Sequence, residues 1–148
     1  MKSQKIENSV KQFSDEWQSI TMTYSDYARS VGISYTSLQV LKYITGTKNC
    51  TQKNICEMSF LPKQTVNTII TGFYKQGYIE LREVPEDRRI KTIHLTAKGK
   101  EYMDTFSPYI ENAEYEAMQA LSDEQRAMLI ESIQLYGKIF REVLFNQK

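Results

Sequence analysis

Two cysteines and a single histidine in 148 residues leave little from which to build a disulfide framework or a metal centre. A zinc site draws its ligands from closely spaced Cys and His, and Cys50, Cys56 and the distant His94 do not make such a set. The chain also lacks a glycine-rich phosphate loop, a nucleophile elbow and any cluster of histidine with carboxylates, so nothing prepares catalysis or calls for a cofactor. No apolar run approaches the length needed to span a bilayer. The first twelve residues, with Lys2, Lys5, Glu7 and Lys11 interspersed, lack the apolar core of a signal peptide. Low-complexity tracts and internal repeats are missing too. The expectation is a cytoplasmic protein that is not an enzyme and binds no metal.

Net charge is nearly absent as well, at +1, but it is unevenly spread. Residues 47–100 hold ten Lys or Arg against five Asp or Glu, a balance of +5, and the remainder balances at −4. Charged residues at 25% and hydrophobic ones at 41% describe an ordinary globular chain rather than a disordered one. The length suits one domain with a modest core. A basic middle between acidic flanks fits a protein that meets a polyanion with one face.

Within that basic stretch, Glu86 to Gly99 is the most informative segment. Pro85-Glu86-Asp87 is turn chemistry, and Arg88, Arg89 and Lys91 place three cations in and just beyond it. Ile93 and Leu95 alternate with Thr92 and His94, the period of a half-buried strand, with His94 on the outward face. Tyr78 to Val84 reads as the partner strand, so the two form a hairpin with Arg88 and Arg89 at its tip. Thr96 is a good N-cap for a helix starting at Ala97. Bare guanidiniums on a hairpin suit an elongated polyanion such as DNA.

Two short helices are predicted directly before the hairpin. The first runs from Gln52 to Met58 behind an N-cap at Thr51. The second opens at Pro62, preorganised for a first helical position, and stops at Gly77. Val66, Ile69, Ile70 and Phe73 give it one apolar stripe, and Lys63, Gln64, Thr65, Asn67 and Thr68 give it a polar face. Such side chains donate to and accept from base edges and phosphates. Helix, turn, polar-faced helix and basic hairpin form a winged helix-turn-helix arrangement.

In these segments the chain resembles the MarR family of transcriptional regulators. The resemblance is carried by Gly32-Ile-Ser-Tyr-Thr-Ser-Leu-Gln-Val-Leu41, by Thr51 to Ile79, and by Asp87-x-Arg89 followed by Leu95-Thr96-x-x-Gly99. It implies a homodimeric protein that binds a pseudo-palindromic double-stranded DNA operator, usually a repressor whose grip a small-molecule effector or oxidation alters. By position, it implies that Asp87 pairs with Arg89 to brace the wing, that Arg89 reaches a minor groove, and that Pro62 to Tyr74 is the major-groove helix. The chain departs from the family pattern in two places. Ser59 and Phe60 stand where relatives commonly have leucine then glycine, which puts the turn geometry in question. Thr68 and Thr71 stand where an arginine and an aspartate are frequent.

The ends read as long amphipathic helices. Ile6, Val10, Phe13, Trp17, Ile20, Tyr24 and Tyr27 recur at spacings of three and four. Near the other end Ser122-Asp-Glu-Gln125 forms a capping box, opening a helix whose Leu129, Ile133, Tyr136, Phe140 and Val143 keep the same rhythm. Between them Thr96 to Leu121 reads as a third long helix, bent or interrupted at Pro108. Mutual burial in a two-fold dimer is the simplest way to cover such stripes. The expected class is therefore mainly α with a small β-hairpin wing, in one domain over residues 1–148. Residues 1–31 and 101–148 would be dimerisation helices, and residues 32–100 the DNA-binding lobe.

Two further features admit a bland and a sharp reading. Trp17, Tyr24 and Tyr27 read as packing, and alternatively as a candidate effector pocket, since family ligands tend to sit between dimer helices and reading lobe. Cys56 reads as a small core residue, and Cys50 lies just before a helix N-terminus, where a partial positive charge lowers a thiol pKa. A thiol-based redox-sensing regulator is thus an alternative, although residues 1–31 contain no cysteine. A winged helix used for protein–protein docking is the other. Such modules usually lack a polar recognition face and a basic tip, and only a DNA reader should lose affinity steeply with salt.

Overall fold

The computed structural model describes residues 3–146. Met1, Lys2, Gln147 and Lys148, parts of the terminal segments considered above, lie outside the described residues. Chain contacts divide the protein into two compact units, residues 1–103 and 104–148. The first carries helices α1 (Gln4–Ser30), α2 (Tyr35–Gly46), α3 (Gln52–Ser59) and α4 (Lys63–Lys75), and strands β1 (Ile79–Val84) and β2 (Asp87–Leu95). Helix α5 (Ala97–Asp104) follows, then α6 (Ser107–Gln119) and α7 (Asp123–Phe145) in the second unit.

In the first unit the core is drawn from many short elements. Leu38, Val40, Leu41 and Ile44 of α2, Ile55 of α3, Val66, Ile70 and Phe73 of α4, and Ile79 and Ile93 of the strands are all buried. Each is the inward member of its helical or alternating pattern. Helix ends are set by local chemistry. At the end of α1, Ile33 N–H donates to Ala28 O and Gly32 N–H to Arg29 O, with Gly32 at φ 79°. The end of α4 repeats this: Tyr78 N–H donates to Phe73 O, and Gly77 N–H to Tyr74 O, with Gly77 at φ 74°. Both are the two-bond left-handed stop that satisfies orphan carbonyls.

Helix α3 begins with the expected Thr51 cap, reinforced by Asn54: Asn54 N–H donates to Thr51 Oγ1 at 3.2 Å and Thr51 N–H to Asn54 Oδ1 at 2.9 Å. The second helix starts one residue later than predicted. Pro62 is its N-cap at φ −57°, ψ 140°, and Lys63 is the first helical residue. At the start of a helix proline's ring constrains mainly the residue before it and its missing donor is harmless, so both placements satisfy the ring, and here Pro62 keeps an extended ψ. The turn before it is left-handed, the geometry that glycine usually serves, with Phe60 at φ 56°, ψ 16°.

The third long helix is interrupted, as expected near Pro108. Helix α5 ends at Asp104, two residues intervene, and α6 starts at Ser107 with Pro108 in its first turn. The proline thus sits where its missing donor is harmless, and the break precedes it. In the second unit α7 opens on the predicted capping box, with Gln125 N–H donating to Ser122 Oγ at 3.2 Å and Ser122 N–H to Gln125 Oε1 at 2.8 Å. Arg126 crosses back to the Met118 and Leu121 carbonyls and to Asp123. Helix α7 has no buried residue, and Leu129, Ile133, Phe140 and Val143 are exposed along it. On α1, Ile6, Val10, Trp17 and Ile20 are exposed in the same way. Among the described residues no helix is long and apolar enough to cross a membrane.

Candidate nucleic-acid interface

The site is built on α4 and the wing, and the join between them is tightly specified. Strands β1 and β2 pair antiparallel from Ile79↔Leu95 to Glu83↔Lys91, then shift so that Val84 faces Asp87. Arg88, Arg89 and Ile90 therefore stand as three extra residues on the β2 side. The turn is Pro85–Glu86, and the two arginines lie in this bulge just past it rather than at the apex. A bulge bends the strand and re-aims its side chains, and here it leaves Arg88, Arg89 and Lys91 exposed.

Asp87 holds the bulge by a local contact. Its Oδ1 accepts from the Arg89 backbone N–H at 3.0 Å and from Arg89 Nε at 3.4 Å. The Arg89 side chain is 94% exposed, so the ion pair contributes little in water. The backbone bond, closing an Asx-type turn, is the structural part of the brace. Along the wing, Thr92 Oγ1 donates to Arg82 O at 3.3 Å and lies 2.8 Å from His94 Nε2. His94 is thus half-buried in the sheet's own hydrogen bonding.

On α4, Lys63, Gln64, Asn67 and Thr68 are exposed and Thr65 is half-buried. The Thr68 hydroxyl donates to Gln64 O at 2.9 Å, so only its lone pairs remain for a partner. A cleft of about 570 Å³ runs between α4, the wing and the start of α3. Asn67, Thr71 and Tyr74 line it on one side, Arg89 and Lys91 on another, and Lys53 at the α3 end. The fold therefore brings Asn67, Arg89 and Lys91 around one concavity, with Lys63 and Gln64 farther towards the start of α4. Of the cleft residues, Thr71 was met in the sequence only as a departure from the family pattern and Tyr74 only as the end of its helix, and Lys53 was given no DNA-binding role. Lys53, a cation in a first helical turn, was the only one with a readable signal.

Trp17, Tyr24 and Tyr27 lie along α1 and do not line this cleft. Trp17 is exposed and its ring centroid is 6.0 Å from that of Phe13. Tyr24 stacks on Tyr35 at 5.8 Å, with Lys42 Nζ 5.8 Å from the Tyr24 ring centre.

The thiols correct one expectation. Cys50 is fully buried, and burial pushes its pKa above the ordinary thiol range rather than below it. Its carbonyl accepts from Ile93 N–H at 2.7 Å, and Thr51 bridges Thr92, so residues 50–51 run as a short third edge beside β2. That pairing carries the thiol inside, where desolvation outweighs the partial charge of the α3 terminus. Cys56 is half-buried.

Comparison with known proteins agrees with this geometry. The model of the MarR family matches residues 31–90, which span α2 to the wing. The HTH-type transcriptional regulator SarZ of Staphylococcus epidermidis is 26% identical over 115 residues, covering 78% of this chain and 76% of that protein. A MarR family regulator from Neisseria meningitidis superposes with a TM-score of 0.80 at 22% identity, over 95% of this chain and 99% of that one. FabT of Streptococcus pneumoniae, solved in complex with DNA, superposes with a TM-score of 0.72 at 18% identity, over 90% and 99%. With the helix-turn-helix, the basic wing and the Leu95-Thr96-x-x-Gly99 joint all in place, the chain has the winged helix-turn-helix fold and is similar to transcriptional regulators of the MarR family, whose model matches its reading lobe.

Proposed function

We propose that the protein is a homodimeric repressor that binds a pseudo-palindromic double-stranded operator in the cytoplasm and is released by a small-molecule effector. The observation that carries this reading is the pairing of an exposed polar face on α4 with an exposed cationic bulge on the wing. In it, Lys63, Gln64, Thr65, Asn67 and Thr68 meet the major groove, and Arg88, Arg89 and Lys91 meet phosphates and the adjoining minor groove. Asp87 fixes the backbone that carries Arg89. FabT's capture with DNA supports the same use of the fold.

The dimer rests on the exposed apolar stripes of α1 and α7, which are too long to be ordinary surface. Residues 1–31 and 101–148 would supply the contacts between protomers, and residues 32–100 the reading lobe. A dimer places two α4 helices one DNA turn apart, which accounts for a palindromic site. Effector relief would act at Trp17, Tyr24 and Tyr27 of α1, where Tyr24 stacks on Tyr35 of α2 with Lys42 beside its ring. The redox reading is weakened by the burial of Cys50, and the docking reading by the exposed arginines.

Selection from a random-sequence duplex library tests the proposal. The protein should enrich an imperfect palindrome, and sedimentation of the complex should give two chains per duplex. Failure to enrich any duplex would contradict DNA reading, and one chain per duplex would contradict the dimer.

A further inference from the structure

Phe60 has no role in the fold that would account for it. It is 89% exposed, more than any other large apolar side chain among the described residues. It also occupies a left-handed conformation, φ 56° and ψ 16°, that disfavours every side chain with a Cβ and is the usual place for glycine. The residue is therefore disfavoured twice in the isolated chain, by its backbone and by leaving an aromatic ring in water. The turn is nonetheless held firmly on both sides: Phe60 N–H donates to Cys56 O at 3.2 Å, and Leu61 N–H to Ser59 Oγ at 3.2 Å.

Its position gives the ring a use. Phe60 is three residues before Lys63, so chain length keeps the two within about 11 Å. A major groove is about 12 Å wide, so a residue tethered that closely to the first turn of α4 stays beside the groove that α4 enters. The apolar feature that a base pair offers there is the C5-methyl group of thymine, which a phenyl ring covers well. Resting on the DNA-reading function proposed above, we infer that Phe60 is a specificity residue that packs on a thymine methyl at the edge of each half-site.

The test uses the duplex that the wild-type protein selects from a random-sequence library. Phe60→Gly removes the ring and the strained side chain together, so this variant should melt no lower than wild type while binding the duplex more weakly. Replacing thymines one at a time with deoxyuridine deletes only the methyl. For wild type, one such replacement per half-site should weaken binding about fourfold, the worth of one buried methyl-sized group. The same replacement should leave Phe60→Gly unaffected. Equal affinities of the two proteins, or the same deoxyuridine profile in both, would overturn the contact and leave the DNA reading intact. A lower melting temperature for Phe60→Gly would overturn the premise that the ring does not support the fold. A wild-type protein that enriches no duplex overturns the DNA reading and this contact together.

Discussion

Gly99 packs directly beneath the Tyr78 carbonyl: a Cβ at residue 99 would lie 2.7 Å from the Tyr78 carbonyl carbon and closer still to its oxygen. Around this contact the Thr96 hydroxyl donates to Gly77 O at 2.6 Å and accepts from Gly99 N–H at 3.0 Å. Tyr102 stacks on Tyr78 at 4.3 Å. The Leu95-Thr96-x-x-Gly99 motif is thus a joint that clamps the root of the wing to α5.

Gly99→Ala has no room, because the obstacle is backbone rather than a flexible side chain. Overpacking of this kind costs about 3 kcal/mol or more when the backbone must shift. Urea denaturation should show a drop of that size, with weakened duplex binding at concentrations where the variant is still folded. An unchanged midpoint would show that the joint yields easily.

Asp87 separates wing geometry from bulk charge. If its carbonyl-like oxygen braces the Arg89 N–H, Asp87→Asn keeps the bond and removes a negative charge near DNA, so binding should be equal or tighter. Asp87→Ala removes the same charge and loses the brace, so binding should weaken. Charge alone predicts tighter binding for both variants. Fluorescence anisotropy on the selected duplex decides between the two, and tight binding by Asp87→Ala would refute the brace.

Much of this was legible because it is local. The Thr51, Ser122 and Thr96 caps, the Gly77 stop and the two-strand wing follow from short-range spacing, and each is present. What was not legible depends on contacts distant in sequence. The burial of Cys50 follows from its pairing with Ile93, 43 residues on, and reverses the expectation drawn from its neighbour Thr51. The bulge at Arg88–Ile90 depends on strand register, which alternation does not specify near a turn. At Phe60 local propensity argued against the left-handed geometry, and the helix-turn-helix connection imposed it.

Cys50 should behave as a packing residue with a pH signature. Its pKa is raised on folding by burial, so the folded state favours the neutral thiol. The resulting stability is fully present below the ordinary thiol pKa. It is lost as pH rises from there through the raised folded value, where the unfolded chain has already given up the proton. Cys50→Ala should flatten that alkaline decline in a urea series, and peroxide at neutral pH should leave duplex binding by wild type unchanged. Peroxide release of DNA that Cys50→Ala abolishes would restore the redox reading.

Phe140 probes the assembly. It is 53% exposed in the single chain and stacks on Tyr136 at 5.9 Å. If α7 lies in a dimer interface, Phe140→Glu buries an unpaired charge there, a penalty on the order of several kcal/mol. The variant should sediment as a folded monomer at micromolar concentration. A folded dimer would show that this stripe is not the interface.

The salt dependence of duplex binding tests the central claim most directly. Two copies each of Lys63, Arg88, Arg89 and Lys91 offer enough cations for several phosphate contacts. Affinity for the selected duplex should then fall by roughly a thousandfold or more between about 50 and 200 mM salt. Arg89→Ala should reduce the magnitude of the log–log slope by about one per site. Affinity that stays flat over that range, or a slope that Arg89→Ala leaves unchanged, would contradict a reading head built from α4 and the wing.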